Sequence, residues 1–173
     1  MEYTRISLQG AGMVVISAFD ETDIADAYRI FKTGRLNPWT YSTFEKSALN
    51  DFSLVAKENN NIVAYVLLSS VLDESTIEDI TVDTQHRNKG IARKLMEASF
   101  DLAGKMQQQS IFLEVRFSNN AAINLYRSVG FEIIGERKNY YDTAVVLDST
   151  TQATQKNAPA APRENAYVMK KVL

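Results

Sequence analysis

The chain reads as a mixed α/β (α+β) domain, a sheet of parallel and antiparallel strands flanked by helices. Three stretches predict this. Over 77–106 a strand carrying Ile77, Ile80 and Val82 is stopped by Asp83, Thr84 and Gln85, and a basic loop then opens a helix. From there Ile91, Leu95, Ala98, Leu102 and Met106 recur at helical spacing, with Arg93, Glu97, Asp101 and Lys105 on the wet face. Ahead of it, 54–56, 62–68 and 76–82 read as successive strands, so the sheet is not a purely alternating parallel one. Behind it, 110–115 alternates, Ile111, Leu113 and Val115 to one face and Phe112 and Glu114 to the other, and a short helix follows.

In order along the chain, residues 1–12 lack periodicity and read as an amino-terminal extension ahead of a single domain spanning 13–173. Met13 to Phe19 form the first strand. Asp20, Glu21, Thr22 and Asp23 supply caps and acidic first-turn residues for a helix burying Ile24, Ala27, Tyr28 and Phe31, which Gly34 ends. Asn37, Pro38, Trp39 and Thr40 lead into a second short helix with Phe44, Ala48 and Leu49. Trp39, the one tryptophan, reads first as a core plug and second as the wall of a substrate groove. The strands at 54–56 and 62–68 form a hairpin about a turn at 59–61, and Asp73 and Glu74 turn the chain again. Ser118, Asn119 and Asn120 cap the helix 121–129, closed by Gly130. Beyond Asp142, a stretch at about 148–164 rich in Ala, Thr, Gln and Pro precedes the last strand, 166–172, and reads as a low-complexity insertion.

Composition narrows the function. A length of 173 residues, 45% hydrophobic and 23% charged, suits one domain with a proper core. The net charge of −2 gives no basic excess of the kind nucleic-acid binding leaves. With no cysteine there is no disulfide or thiolate metal site, and no metal is expected. No apolar run approaches the ~20 residues that span a bilayer, and no leader with a basic start and long apolar core is present, so a cytoplasmic protein without a membrane partner is expected.

The loop before Ile91 has the makings of an anion site. The first N–H groups of a helix lack internal partners and carry the positive end of its dipole, Gly90 permits close approach, and Arg87, Lys89, Arg93 and Lys94 add charge. A pyrophosphate suits that arrangement, while the loops typical of ATP and NAD sites are missing. Glu114 has a bland reading as the partner of Arg116 in a strand-end ion pair, and Tyr126 as a core residue of its helix.

Taken consecutively, DITVDTQHRNKGIARKLM, IFLEVRFSNNAAINLYRSVGF and RKNYY resemble the GNAT superfamily of acetyl-CoA-dependent N-acetyltransferases. They are most similar to its bacterial ribosomal-protein-alanine, or RimI-like, branch, over about residues 13–141 and including Asn37-Pro38-Trp39-Thr40 with Phe44. The resemblance implies a strongly curved mixed sheet whose strands 76–82 and 110–115 splay apart around the pantetheine arm of acetyl-CoA. Ile80, Thr81 and Val82 would pair with that arm. Arg87, Asn88, Lys89, Gly90, Ile91, Ala92 and Arg93 would cradle the pyrophosphate, and Asn119 would touch the cofactor near the next helix start. Glu114 takes the position of the general base. Tyr126, also at the cofactor, takes that of the general acid toward the departing thiolate. Trp39, Tyr140 and Tyr141 would shape the acceptor side. Two departures stand out: Ala92 replaces a second glycine of the loop, and His86, the sole histidine, occupies a position often aromatic in the branch and is read as a surface packing residue.

The implied acceptor is a protein amino terminus, the alanine of a ribosomal protein, by direct transfer without a covalent enzyme intermediate. Baring a lysine of pKa ~10.4 at pH 7 costs roughly 4 to 5 kcal/mol, against roughly 1 for an α-amine near 8. The alternatives are acetylation of lysine side chains or small amines, and a non-catalytic acetyl-CoA-binding regulatory subunit.

Overall fold

The computed structural model describes residues 4–7, 13–143 and 163–173. Among them run twelve elements: β1 Thr4–Ser7, β2 Met13–Ala18, α1 Ile24–Lys32, α2 Tyr41–Ala48, β3 Leu54–Glu58, β4 Asn61–Val71, β5 Glu74–Val82, α3 Ile91–Lys105, β6 Ser110–Arg116, α4 Asn120–Ser128, β7 Glu132–Asp142 and β8 Arg163–Val172. The strands form one sheet in the order β1-β2-β3-β4-β5-β6-β8-β7. All neighbours are antiparallel except β5 and β6, whose parallel pairing needs the long crossover that α3 supplies. The expected mixed sheet flanked by helices is therefore present.

Within the stretch read as an amino-terminal extension, Thr4–Ser7 pairs antiparallel with β2 as an edge strand. TRIS holds a single apolar residue, too few to announce a strand by alternation. The insertion read at 148–164 falls outside the described residues up to 162, while Arg163 and Glu164 already belong to β8.

Why these residues fold locally follows from caps and turns. Asp20 accepts from the Thr22 amide while Asp23 accepts from the Asp20 amide, a capping box that starts the α1 segment. Asn59 and Asn60 both take positive φ, the backbone that a two-residue hairpin turn between β3 and β4 requires. At the carboxy end of α4 the Phe131 amide donates to the Tyr126 carbonyl (3.0 Å) and the Gly130 amide to the Arg127 carbonyl (3.1 Å). With Gly130 at φ +95°, this is a Schellman motif, and a Cβ there would lie 2.8 Å from Lys171 Nζ.

The sheet is covered on both faces. One core packs α3 and α4 against the sheet through Leu95, Met96, Ile111, Leu113, Ile123 and Met169. The other packs α1 and α2 against it through Ile24, Phe31, Phe44, Tyr65 and Leu67. β4 lies between them, buried continuously from Ile62 to Leu68. Two helix faces differ from their periodicity. In α1, Ile30 is buried and Tyr28 only half-buried. In α3 the buried set is Ile91, Leu95, Met96, Ser99 and Ala103, with Met106 past the end and exposed. Small Ser99 and Ala103 let the helix lie close, and Ser99 loses its polar cost by donating to the Leu95 carbonyl at 2.8 Å.

Candidate functional site

The cleft is created by one irregularity in β5. Leu68 of β4 faces Ile77 but Leu67 faces Asp79, so Glu78 is an extra residue, a bulge that bends β5. Parallel pairing with β6 runs only from Glu74–Ser110 to Ile77–Leu113 and then stops. Past that point the two strands part, around a cavity of about 700 Å³. Ile80, Thr81 and Val82 pair with Val66, Tyr65 and Ala64 of β4 on one side only. Their other edge faces the cavity, open to an extended, amide-bearing group.

The cavity's far end is the start of α3. Gly90 sits at φ +81°, a left-handed conformation that favours glycine, and Asn88 at φ +60°. The first bond of the helix is Lys94 N–H to the Gly90 carbonyl (3.2 Å), so the amides of Ile91, Ala92 and Arg93 have no helical partner. Arg87 donates through Nε to the Val82 carbonyl (3.2 Å), holding its guanidinium beside the strand end. These features fit a pyrophosphate group. Arg93 lines the same end but is tied down, donating through Nη2 to Ser128 Oγ (2.7 Å) and fastening α3 to α4. Asn119 caps α4, its Oδ1 accepting from the Ala122 amide at 3.2 Å, and lines the cavity.

Glu114 and Tyr126 both line the cleft. The Glu114 carboxylate accepts from Arg137 Nε at 2.8 Å and from the Tyr140 phenol. Those two arrive because β7 loops out between Arg137 and Tyr141 against β8, with Asn139 at φ +52°. Tyr141 donates to the Glu114 carbonyl (3.2 Å) and lies under the Arg116 guanidinium, 4.3 Å from its ring centre. Burial, then the Glu114 charge, pushes its phenol up to about 12. Tyr126 is buried, and that burial, followed by the charges of Asp79 and Tyr141, raises its phenol well above the ordinary tyrosine value.

The structure brings together most residues named from sequence: Ile80, Thr81, Val82, Arg87, Asn88, Gly90, Ile91, Ala92, Arg93, Glu114, Asn119, Tyr126 and Tyr141 all line one cavity. Lys89 and Trp39 do not. Trp39 packs tilted against Phe31, ring centres 5.4 Å apart, and its carbonyl accepts from the Tyr28 hydroxyl, the core-plug arrangement. Tyr140 reaches the site through Glu114. The expected Glu114–Arg116 pair does not form: Arg116 turns to Glu164 (3.5 Å) and the Asp142 carbonyl (3.0 Å), leaving Glu114 to Arg137. His86 is half-buried, its side chain 18% exposed and 3.3 Å from Glu58. Sequence reading missed Arg35, Glu78 and Asp79 on the lining. The adjacent acids at 78 and 79 break the strand's alternation, the one trace the bulge leaves in the sequence.

The family model described as acetyltransferase (GNAT) family matches residues 21–131. The [ribosomal protein bS18]-alanine N-acetyltransferase of Escherichia coli K12 is 36% identical over 132 residues, 76% of this chain and 89% of the relative. Its counterpart in Haemophilus ducreyi is 31% identical over 156 residues, 90% of this chain and 97% of the relative. The crystal structure of the ribosomal-protein-S18-alanine N-acetyltransferase from Escherichia coli superposes with a TM-score of 0.77 at 32% identity, covering 92% of this chain and 94% of that one. A bulged β5, a splay at β6 and a basic helix start are thus accompanied by matching sequence throughout, and the chain belongs to the GNAT family, as an acetyl-CoA-dependent N-acetyltransferase.

Proposed function

We propose that the chain acetylates the α-amino group of a protein amino terminus, with the alanine of a ribosomal protein as acceptor. The observation that carries this is the single cleft in which the α3 cradle, the open edge of β5, Glu114 and Tyr126 converge. The activity for which the relatives are named, alanine acetylation of a ribosomal protein, supports the acceptor class.

Bound acetyl-CoA supplies the activated thioester. The backbone of Ile80, Thr81 and Val82 holds the pantetheine arm, and Arg87 with the first amides of α3 holds the pyrophosphate. Glu114 takes the proton from the acceptor ammonium, directly or through a water. A carboxylate accepts about four hydrogen bonds, and Arg137 and Tyr140 leave room for one more. The freed amine forms its N–C bond with the acetyl carbon as the C–S bond breaks, Tyr126 gives its proton to the departing sulfur, and the second proton that the nitrogen sheds on becoming an amide returns through water to the Tyr126 phenolate. With its pKa raised by burial, the Tyr126 phenol is protonated at neutral pH, so the proton is in place when the sulfur departs. No residue becomes acylated, and the chain has no cysteine for that purpose.

The test is turnover with acetyl-CoA and a short alanine-first peptide, read as release of free thiol, beside the same peptide already blocked at its amino terminus. Thiol release only from the free peptide is expected. Equal release from both, or none from either, contradicts the reading.

A further inference from the structure

The reaction as described leaves unused the charged residues at the cleft end opposite α3. Glu78 and Asp79 precede Ile80–Val82 along β5, so they lie at the end away from the pyrophosphate cradle. The Asp79 carboxylate is 12% exposed and fully engaged: by Arg35 Nη2 at 2.6 Å, the Tyr65 hydroxyl at 2.5 Å and Thr81 Oγ1 at 3.2 Å. Arg35 comes from the connection after α1, 44 residues away in sequence. Its guanidinium forks three ways, Nε donating to the Phe31 carbonyl (2.6 Å), Nη2 to Asp79 and to Thr81 Oγ1 (3.0 Å), with its plane over the Phe31 ring at 4.3 Å. Next to it, Ser47 of α2 donates to the Glu78 carboxylate. Two successive carboxylates at the β5 bulge therefore hold α2 and the α1–α2 connection against the strand.

We propose that the Arg35–Asp79 pair is a positioning element for the acceptor, fixing the 33–40 segment against the β5 bulge so that the peptide's first residues meet a formed wall. This rests on the amino-terminal acetylation reading above. With the Arg35 side chain 37% exposed, the ion pair contributes little net stability. Its value here is geometric: a planar fork reaches helix end, strand carboxylate and strand hydroxyl at once, which a point charge cannot do. Arg35 and Asp79 line the cavity that holds Glu114 and Tyr126, and Thr81 links them to the strand beside the pantetheine arm. A misplacement of about 1 Å at such a wall costs up to about 100-fold in rate.

The experiment compares wild type, Arg35→Met, Arg35→Lys and Asp79→Asn in initial-rate kinetics over both substrates, with acetyl-CoA affinity by calorimetry and folding by thermal melts. The expected result is a peptide KM raised about 10-fold or more in Arg35→Met and Asp79→Asn, with acetyl-CoA affinity held within about twofold. Arg35→Lys, which keeps charge but not the fork, recovers less than half of the loss. Wild-type turnover on free peptide with an unchanged peptide KM in Arg35→Met, or in Asp79→Asn should Arg35→Met not fold, overturns the pair's role alone. Equal loss of peptide and acetyl-CoA affinity also overturns it, as the mark of a merely structural contact. Absence of wild-type turnover on free peptide instead sinks the functional reading beneath it.

Discussion

Tyr126 keeps its proton because α4 buries it, and the Schellman turn at Gly130 fixes its carbonyl so that the side chain cannot drift from the cleft. With the phenol raised, its proton is retained through neutral pH and is lost only above the ordinary tyrosine range, so kcat should show no fall from this group below about pH 10. Tyr126→Phe should lower kcat by about 100-fold or more while leaving acetyl-CoA affinity nearly intact, measured by saturation kinetics beside calorimetry. Glu114→Gln should lower kcat comparably. The positions of both residues were legible from the motif order. Their partners were not, because Arg137 and Tyr140 reach Glu114 through an irregular loop-out of β7 that leaves no periodic trace.

At the scale of elements, the strand–loop–helix from β5 to α3 was legible because alternation, a stop of polar residues and helical spacing follow one another without overlap. The bulge at Glu78 was not, since whether a strand bends depends on its neighbour's register. The buried face of α3 was half legible: Ile91 and Leu95 obey the apolar pattern, whereas Ser99 and Ala103 are inside because they are small. Arg87→Ala should weaken acetyl-CoA binding in calorimetry while kcat at saturating donor stays near wild type. Gly90→Ala, placing a side chain at φ +81°, should cost about 1–3 kcal/mol of stability in denaturant titration and weaken acetyl-CoA as well.

For the whole molecule, two cores separated by one sheet give each half of the reaction its own support. α3 and α4 carry the donor cradle and Tyr126, while α1 and α2 pack on the other face of the sheet and the connection between them brings Arg35 to the cleft. β4 joins them, buried from Ile62 to Leu68 between the two. Truncating Leu67, fully buried in the α1–α2 core, to Ala should cost about 2–5 kcal/mol and lower the urea midpoint at unchanged slope. The sheet order was less legible, since the short edge strand β1 carries almost no apolar signal. Among the described residues no helix is long and apolar enough to cross a membrane.

The most direct measurement of the central claim uses one peptide bearing both a free amino-terminal alanine and an internal lysine. It is incubated with acetyl-CoA and mapped by fragmentation mass spectrometry. The account predicts a single acetyl group, on the α-amine of residue 1, with one free thiol released per peptide. Acetylation of the lysine with the α-amine left free would contradict it.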